Sequence, residues 1–122
     1  MTHQEFSTWV ERLGKAWVMR DPDMAAGLCA ENVLYYEDPF AEPLEGRTAV
    51  REIWEEVPKT QKDIRFTFDI MAVHGQMGIA HWSASYTKIS SGKRVPLDGV
   101  FVVTLDEKGL CSEFRMWWNS KS

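Results

Sequence analysis

Cysteine and histidine are scarce in this chain: two of the first and three of the second among 122 residues. Cys29 and Cys111 are too few for a disulfide framework. Without a secretion signal they read as reduced, buried thiols. His3, His74 and His81 are scattered and give, with those cysteines, no metal-ligand spacing, so neither a metal nor another cofactor is expected. Positive charge is also short, since 14 Lys and Arg against 18 Asp and Glu leave a formal charge of −4. The only dense basic spots, Lys93-Arg94 and Arg47/Arg51, are too small for a nucleic-acid footprint. No apolar run approaches the ~20 residues of a membrane span. The first residues, Met1-Thr2-His3-Gln4-Glu5, have neither a charged n-region nor an apolar h-region. A cytoplasmic protein is therefore expected. Repeats, low-complexity tracts and linkers are missing too, and the length fits one domain over residues 1–122.

Aromatic residues are plentiful, with six Trp, six Phe and three Tyr. In so short a chain such rings fill a core, line a pocket or cover a partner. Thr2-x-x-Glu5 fits a capping box. Phe6, Trp9, Val10, Leu13, Ala16 and Trp17 follow it at helical spacing. Asp21 and Pro22 cap and open a second, short helix carrying Met24, Ala25, Leu28 and Cys29. Val33 to Glu37 is β-prone and stops at Asp38-Pro39. After Gly46, residues Val50, Ile53, Trp54 and Val57 repeat the helical spacing, and Pro58 closes that third helix.

Beyond Pro58 the period becomes two. Ile64, Phe66, Phe68 and Ile70 alternate with Arg65, Thr67 and Asp69, and the phase shift to Met71 and Val73 points to a bulge. A strand over 79–89 sets Trp82, Ala84 and Tyr86 against His81, Ser83 and Ser85. Strands over 95–105 and 110–119 complete a meander with tight turns. The order α-α-β-α-β-β-β-β segregates helices from an antiparallel sheet and defines an α+β fold. Long strands twist and curl. Three helices laid across such a sheet make a cone whose interior holds a pocket.

Two carboxylates stand out against this frame. Asp38 lies where a strand stops, near the rings of Tyr36, Phe40 and Trp54. These would desolvate it and raise its pKa. An Asp before Pro also has the ordinary role of capping a turn. Asp98 sits among Leu97, Val100, Phe101, Val102 and Val103, which suggests burial on both faces. A carboxyl there must be neutral or hydrogen-bonded. If Asp98 faces inward, Val100 and Val102 do too. On the next strand pair either His81 or Trp82 faces the pocket. Of Trp117 and Trp118 at most one does, and Trp117 is taken as the lining residue. Trp17 on the first helix is a core or pocket residue.

The helical hairpin with Asp21, the Tyr36-x-Asp38-Pro39-Phe40 segment, the Gly46, Val50, Trp54 helix, the Leu97-Asp98-Gly99-Val100 strand and the closing Asp-x-x-Gly turn resemble the NTF2-like superfamily over nearly the whole chain. Within it the chain looks most like the SnoaL-like and ketosteroid-isomerase-like branch. The resemblance implies that Asp38 moves a proton between carbons. Asp98, held protonated, would donate a hydrogen bond to the enolate oxygen, a known pattern of carboxyl tuning in that family. The first-helix Tyr of such isomerases falls at Leu13, and losing one donor of this kind costs on the order of 10²–10³ in rate. Tyr35 or Tyr36 could supply it from the strand. An Arg-x-Asp pair on a strand, as in limonene-epoxide-hydrolase relatives, is missing. A His with Asp, as in scytalone-dehydratase relatives, could be His81 with Asp38. Two functions stay open: cofactor-independent proton transfer on a small hydrophobic carbonyl compound, and a non-catalytic module that binds a small lipophilic ligand. Both imply a homodimer built on the open face of the sheet.

Overall fold

The computed structural model describes residues 1–121. Helix α1 (His3–Val18) opens with the expected capping box. The Thr2 hydroxyl accepts from the Glu5 amide at 3.0 Å, and the Glu5 carboxylate accepts from the Thr2 amide at 3.1 Å. Its apolar stripe is the centre of the core: Phe6, Val10 and Ala16 are fully buried, and Trp9 and Leu13 nearly so. The Asp21 carboxylate caps α2 (Pro22–Gly27) by accepting from the Met24 amide.

Six strands follow or intervene: β1 (Cys29–Tyr36), β2 (Leu44–Glu45), β3 (Gln61–His74), β4 (Met77–Lys88), β5 (Arg94–Leu105) and β6 (Cys111–Ser120). They form one sheet in the order β2-β1-β6-β5-β4-β3. The meander β3 to β6 is antiparallel, and β1 joins β6 in the single parallel pairing. The fold is thus α+β with a curved sheet, as expected. The bulge falls at Met71, where register shifts between Ile70 and Ala72.

Three boundaries differ from the expectation. β1 starts at Cys29, because Cys29 and Ala30 already pack into the core and Cys29 pairs with Cys111. The loop after Pro39 contributes the two-residue β2 against Leu34 and Tyr35. Pro58 does not close α3 (Arg47–Trp54); it lies inside a short further helix, α4 (Glu56–Thr60). As the third residue of α4 it sits in the first turn, where a missing N–H breaks no helical bond.

Helices and sheet meet through a continuous run of rings. Trp17, Phe66, Trp82, Phe101, Phe114 and Tyr35 touch in sequence, with centroids 4.4–6.3 Å apart. Glycines let the layers approach. A Cβ at Gly78 would lie 2.4 Å from the Phe6 ring, and one at Gly14 would lie 2.3 Å from Phe66. No helix among the described residues is long and apolar enough to cross a membrane.

Candidate functional site

The recess lies between α1, α3, α4 and the concave face of the sheet. It has a cavity volume of about 130 Å³ and is open on one side, where the empty space reaches about 570 Å³ with the adjoining solvent included. Leu13 and Trp17 form one wall, and Ile53, Trp54 and Val57 another. Phe101, Phe114 and Met116 form the sheet side. Three groups bring polar atoms to it: Tyr35, Glu37 and Gln61.

Strand alternation explains which β1 residues arrive. Val33 and Tyr35 face the core, so Glu37 continues that face past the strand's end. The Glu37 carboxyl is half-buried. Desolvation, helped by the negative charge of Asp38, raises its pKa above the ordinary glutamate value. The backbone there is pinned from β6, because the Trp118 indole N–H donates to the Glu37 carbonyl at 3.2 Å.

Tyr35 is buried and stacked on Phe114, with centroids 4.4 Å apart and planes 7° apart. Burial pushes its phenol far above the usual range, so it stays neutral. Its oxygen accepts from the Trp54 indole N–H at 3.3 Å, which leaves its own proton free for an acceptor in the recess. The Gln61 amide oxygen accepts from the Trp17 indole N–H at 2.7 Å. That bond fixes the amide and frees its NH₂ as a second donor. Trp17 and Trp54 meet edge to face at 6.3 Å and 85°.

The two expected carboxylates do not share this chamber. Asp38 is exposed, and its Oδ1 accepts from the Phe40 amide at 2.8 Å. It plays the turn-capping role open to an Asp before Pro. Phe40 is 98% exposed and shields nothing. Asp98 lies on the convex face of the sheet, with a side chain 63% exposed. Ser83 Oγ donates to its Oδ2 at 2.6 Å, and His81 Nε2 lies 3.0 Å from each of its oxygens. These contacts, the serine first, hold the Asp98 carboxyl below its ordinary pKa. It is ionised, the reverse of a protonated donor.

The same alternation carries other expected lining residues outward. Phe101 and Val103 are buried, so Val100 and Val102 face out with Asp98. His81 and Trp117 are the register partners of Val100 on the two neighbouring strands and share its face. Tyr36 also points outward, beneath the Arg115 guanidinium at 4.0 Å. Trp82 faces inward but is packed in the core against Phe66 and Phe101, behind the recess. Among the described residues its indole nitrogen is the one buried side-chain polar atom without a partner. Trp17 and Trp54 line the recess, and of the two tyrosines it is Tyr35 that reaches in. Glu37, Gln61 and the Ile53, Val57, Phe101, Phe114 and Met116 walls were not anticipated. The Val33, Tyr35, Glu37 alternation was the available signal for the first. No set of three or more His, Cys, Asp and Glu is gathered among the described residues to hold a metal.

A helix-roofed recess over one curved sheet, with β1 joining β6 in parallel, is the architecture of the NTF2-like superfamily. The chain belongs within it to the SnoaL-like domain family, which matches residues 10–114. No curated protein matches the sequence. Among solved structures, the chain is similar to SalBIII, an epoxide hydrolase/cyclase-like enzyme of pyran ring formation in the polyether salinomycin. The TM-score is 0.82 at 22% identity over 95% of this chain and 92% of that one. It is also similar to a Bacillus subtilis protein provisionally assigned as an isomerase, with a TM-score of 0.85 at 18% identity over 98% and 90% of the two chains. At these identities the likeness is one of fold.

Proposed function

We propose that the protein is a cofactor-independent proton-transfer enzyme of the isomerase or cyclase type, acting on a small hydrophobic carbonyl compound. The observation that carries this reading is the half-buried Glu37 carboxyl with its raised pKa, placed in an apolar recess beside two free hydrogen-bond donors. A carboxylate so placed is a stronger base than one in water, which suits it to a carbon acid. Glu37 takes the proton from the carbon next to the substrate carbonyl. Negative charge moves to the carbonyl oxygen, where the Tyr35 hydroxyl and the Gln61 amide donate to it. The protonated Glu37 then returns the proton to a distant carbon of the conjugated system. Rings of Trp17 and Trp54 hold the substrate and exclude water.

Glu37→Gln tests this assignment. It keeps the shape and removes the base, so turnover falls by about 10²–10⁴. Isomerisation at the wild-type rate in that variant refutes Glu37 as the base.

A second reading, ligand binding without turnover, has one observation in its favour. Leu13, the position to which the resemblance to ketosteroid isomerases assigns their tyrosine donor, lines the recess. Saturable binding of a small ketone with no proton exchange at its α-carbon would select it.

We also infer that two copies pair through the convex sheet face. Trp117 is 44% exposed there, beside the half-buried Val100 and Val102, an apolar strip that a second copy would cover. The proposed setting is the cytoplasm, which keeps the buried Cys29 and Cys111 thiols reduced.

A further inference from the structure

We propose that the recess selects an uncharged, single-ring carbonyl compound and rejects both carboxylates and multi-ring ligands. The proposal rests on the preceding reading only in taking the same recess as the ligand site.

Charge is the first reason. Of the eleven lining residues, Glu37 alone is ionisable in the ordinary range and none is Lys, Arg or His. The neighbouring cations are engaged elsewhere. Arg47 makes two hydrogen bonds to the Cys29 carbonyl, at 2.9 and 2.7 Å. Arg51 pairs with Asp23 and Glu55. Arg115 lies over Tyr36 on the convex side and pairs with Glu113. Arg20 is exposed and reaches the Gln61 backbone carbonyl at 3.4 Å. An anionic ligand would therefore lose its water without gaining a counter-ion, next to a carboxylate of its own sign.

Size is the second reason. The cavity volume of about 130 Å³ is near that of an engineered cavity of ~150 Å³ that takes benzene, so one ring fills it and further rings would stand out in the open mouth. Trp17, Trp54, Tyr35 and Phe114 all line the recess, so a ring placed there meets aromatic walls. Polar placement is the third. Tyr35 and Gln61 donate and only Glu37 accepts, which matches a ligand whose polar atom is a carbonyl oxygen with an acidic C–H beside it.

The experiment titrates the full chain, by tryptophan fluorescence, with three probes: cyclohex-3-enone, the 3-oxocyclohexanecarboxylate ion and the four-ring androst-4-ene-3,17-dione. The neutral ring is expected to bind saturably, and the other two at least tenfold more weakly. In Glu37→Gln the carboxylate is expected to recover at least part of that tenfold. Carboxylate or steroid binding as tight as that of the neutral ring overturns the proposal, as does failure of the neutral ring to bind. Turnover is read separately, as conversion of cyclohex-3-enone to cyclohex-2-enone. One proton leaves C2, the double bond moves from C3–C4 to C2–C3, and one proton is added at C4. Selective binding without that conversion upholds the selectivity and removes the catalytic reading. Conversion together with indifferent binding does the reverse.

Discussion

Tyr35→Phe separates catalysis from folding, because one oxygen is removed and the ring is kept. The Phe114 stack, at 4.4 Å and nearly parallel, survives. The variant loses the acceptor of the Trp54 indole N–H, a bond of 3.3 Å in a buried setting. Leaving that buried N–H without a partner costs about 1–3 kcal/mol. In a domain of this size that lowers Tm by about 3–15 °C. The catalytic loss is larger. If Tyr35 donates to the developing enolate oxygen, its removal costs on the order of 10²–10³ in kcat, about 3–4 kcal/mol. The donor acts mainly where charge develops, so kcat falls much more than KM rises. Thermal melting and steady-state isomerisation of a small β,γ-unsaturated ketone measure the two effects on one sample. A kcat within threefold of wild type, with the expected drop in Tm, would refute Tyr35 as the oxyanion donor and leave it a core residue.

Asp38→Asn should move the acidic limb of the kcat/KM profile to lower pH. Asp38 adds to the raised pKa of Glu37, so Glu37 ionises earlier without it. The sign for stability is set by the same shift: a carboxyl raised on folding favours the native state at low pH, and that contribution disappears as pH rises through its folded pKa. Urea titrations of wild type and Glu37→Gln at a series of pH values read it, and a stability gap independent of pH contradicts it. Gly78→Ala should cost about 1–3 kcal/mol, because its Cβ would lie 2.4 Å from the buried Phe6 ring; a melting curve like that of wild type would contradict the packing of α1 on β4. Trp117→Glu on the convex face should convert a dimer to a monomer in sedimentation velocity at micromolar concentration, and a wild-type monomer would remove the proposed pairing.

Much of the fold was legible because its signals are local. The Thr2–Glu5 box, the α1 stripe, the Asp21-Pro22 junction and the β3 alternation each depend on neighbours in sequence. Even the Met71 bulge shows as a phase change. The α3–α4 break, β2 and the early start of β1 depend on packing against distant strands and left no such trace. The site was harder for one reason. On a strand a shift of one residue exchanges the two faces. Apolar residues on both sides of Asp98 suggested full burial, but Val100 and Val102 are half-buried on the convex face while Phe101 and Val103 fill the core. The large Phe101 was the better guide to phase, and counting back from it sends Asp98 outward. At the end of β1 the same counting from Val33 through Tyr35 selects Glu37 over Asp38.

That choice of carboxylate changes the chemistry available. A pair of inward acids could divide the work, one moving the proton and the other donating to the oxygen. Here one inward carboxyl faces two neutral donors. Asp98 is ionised by its serine and histidine neighbours and cannot replace them. On the proposed reading Glu37 acts as base and then as acid within one turnover, which requires a pKa between that of a free carboxylate and that of an enol-forming carbon. Desolvation by the apolar walls, with Asp38 just outside, moves it in that direction. Tyr35, held neutral by burial, keeps the proton it would donate. On that reading control of the proton falls to a single titrating group, and the apolar walls that set its basicity are those that would meet the ligand.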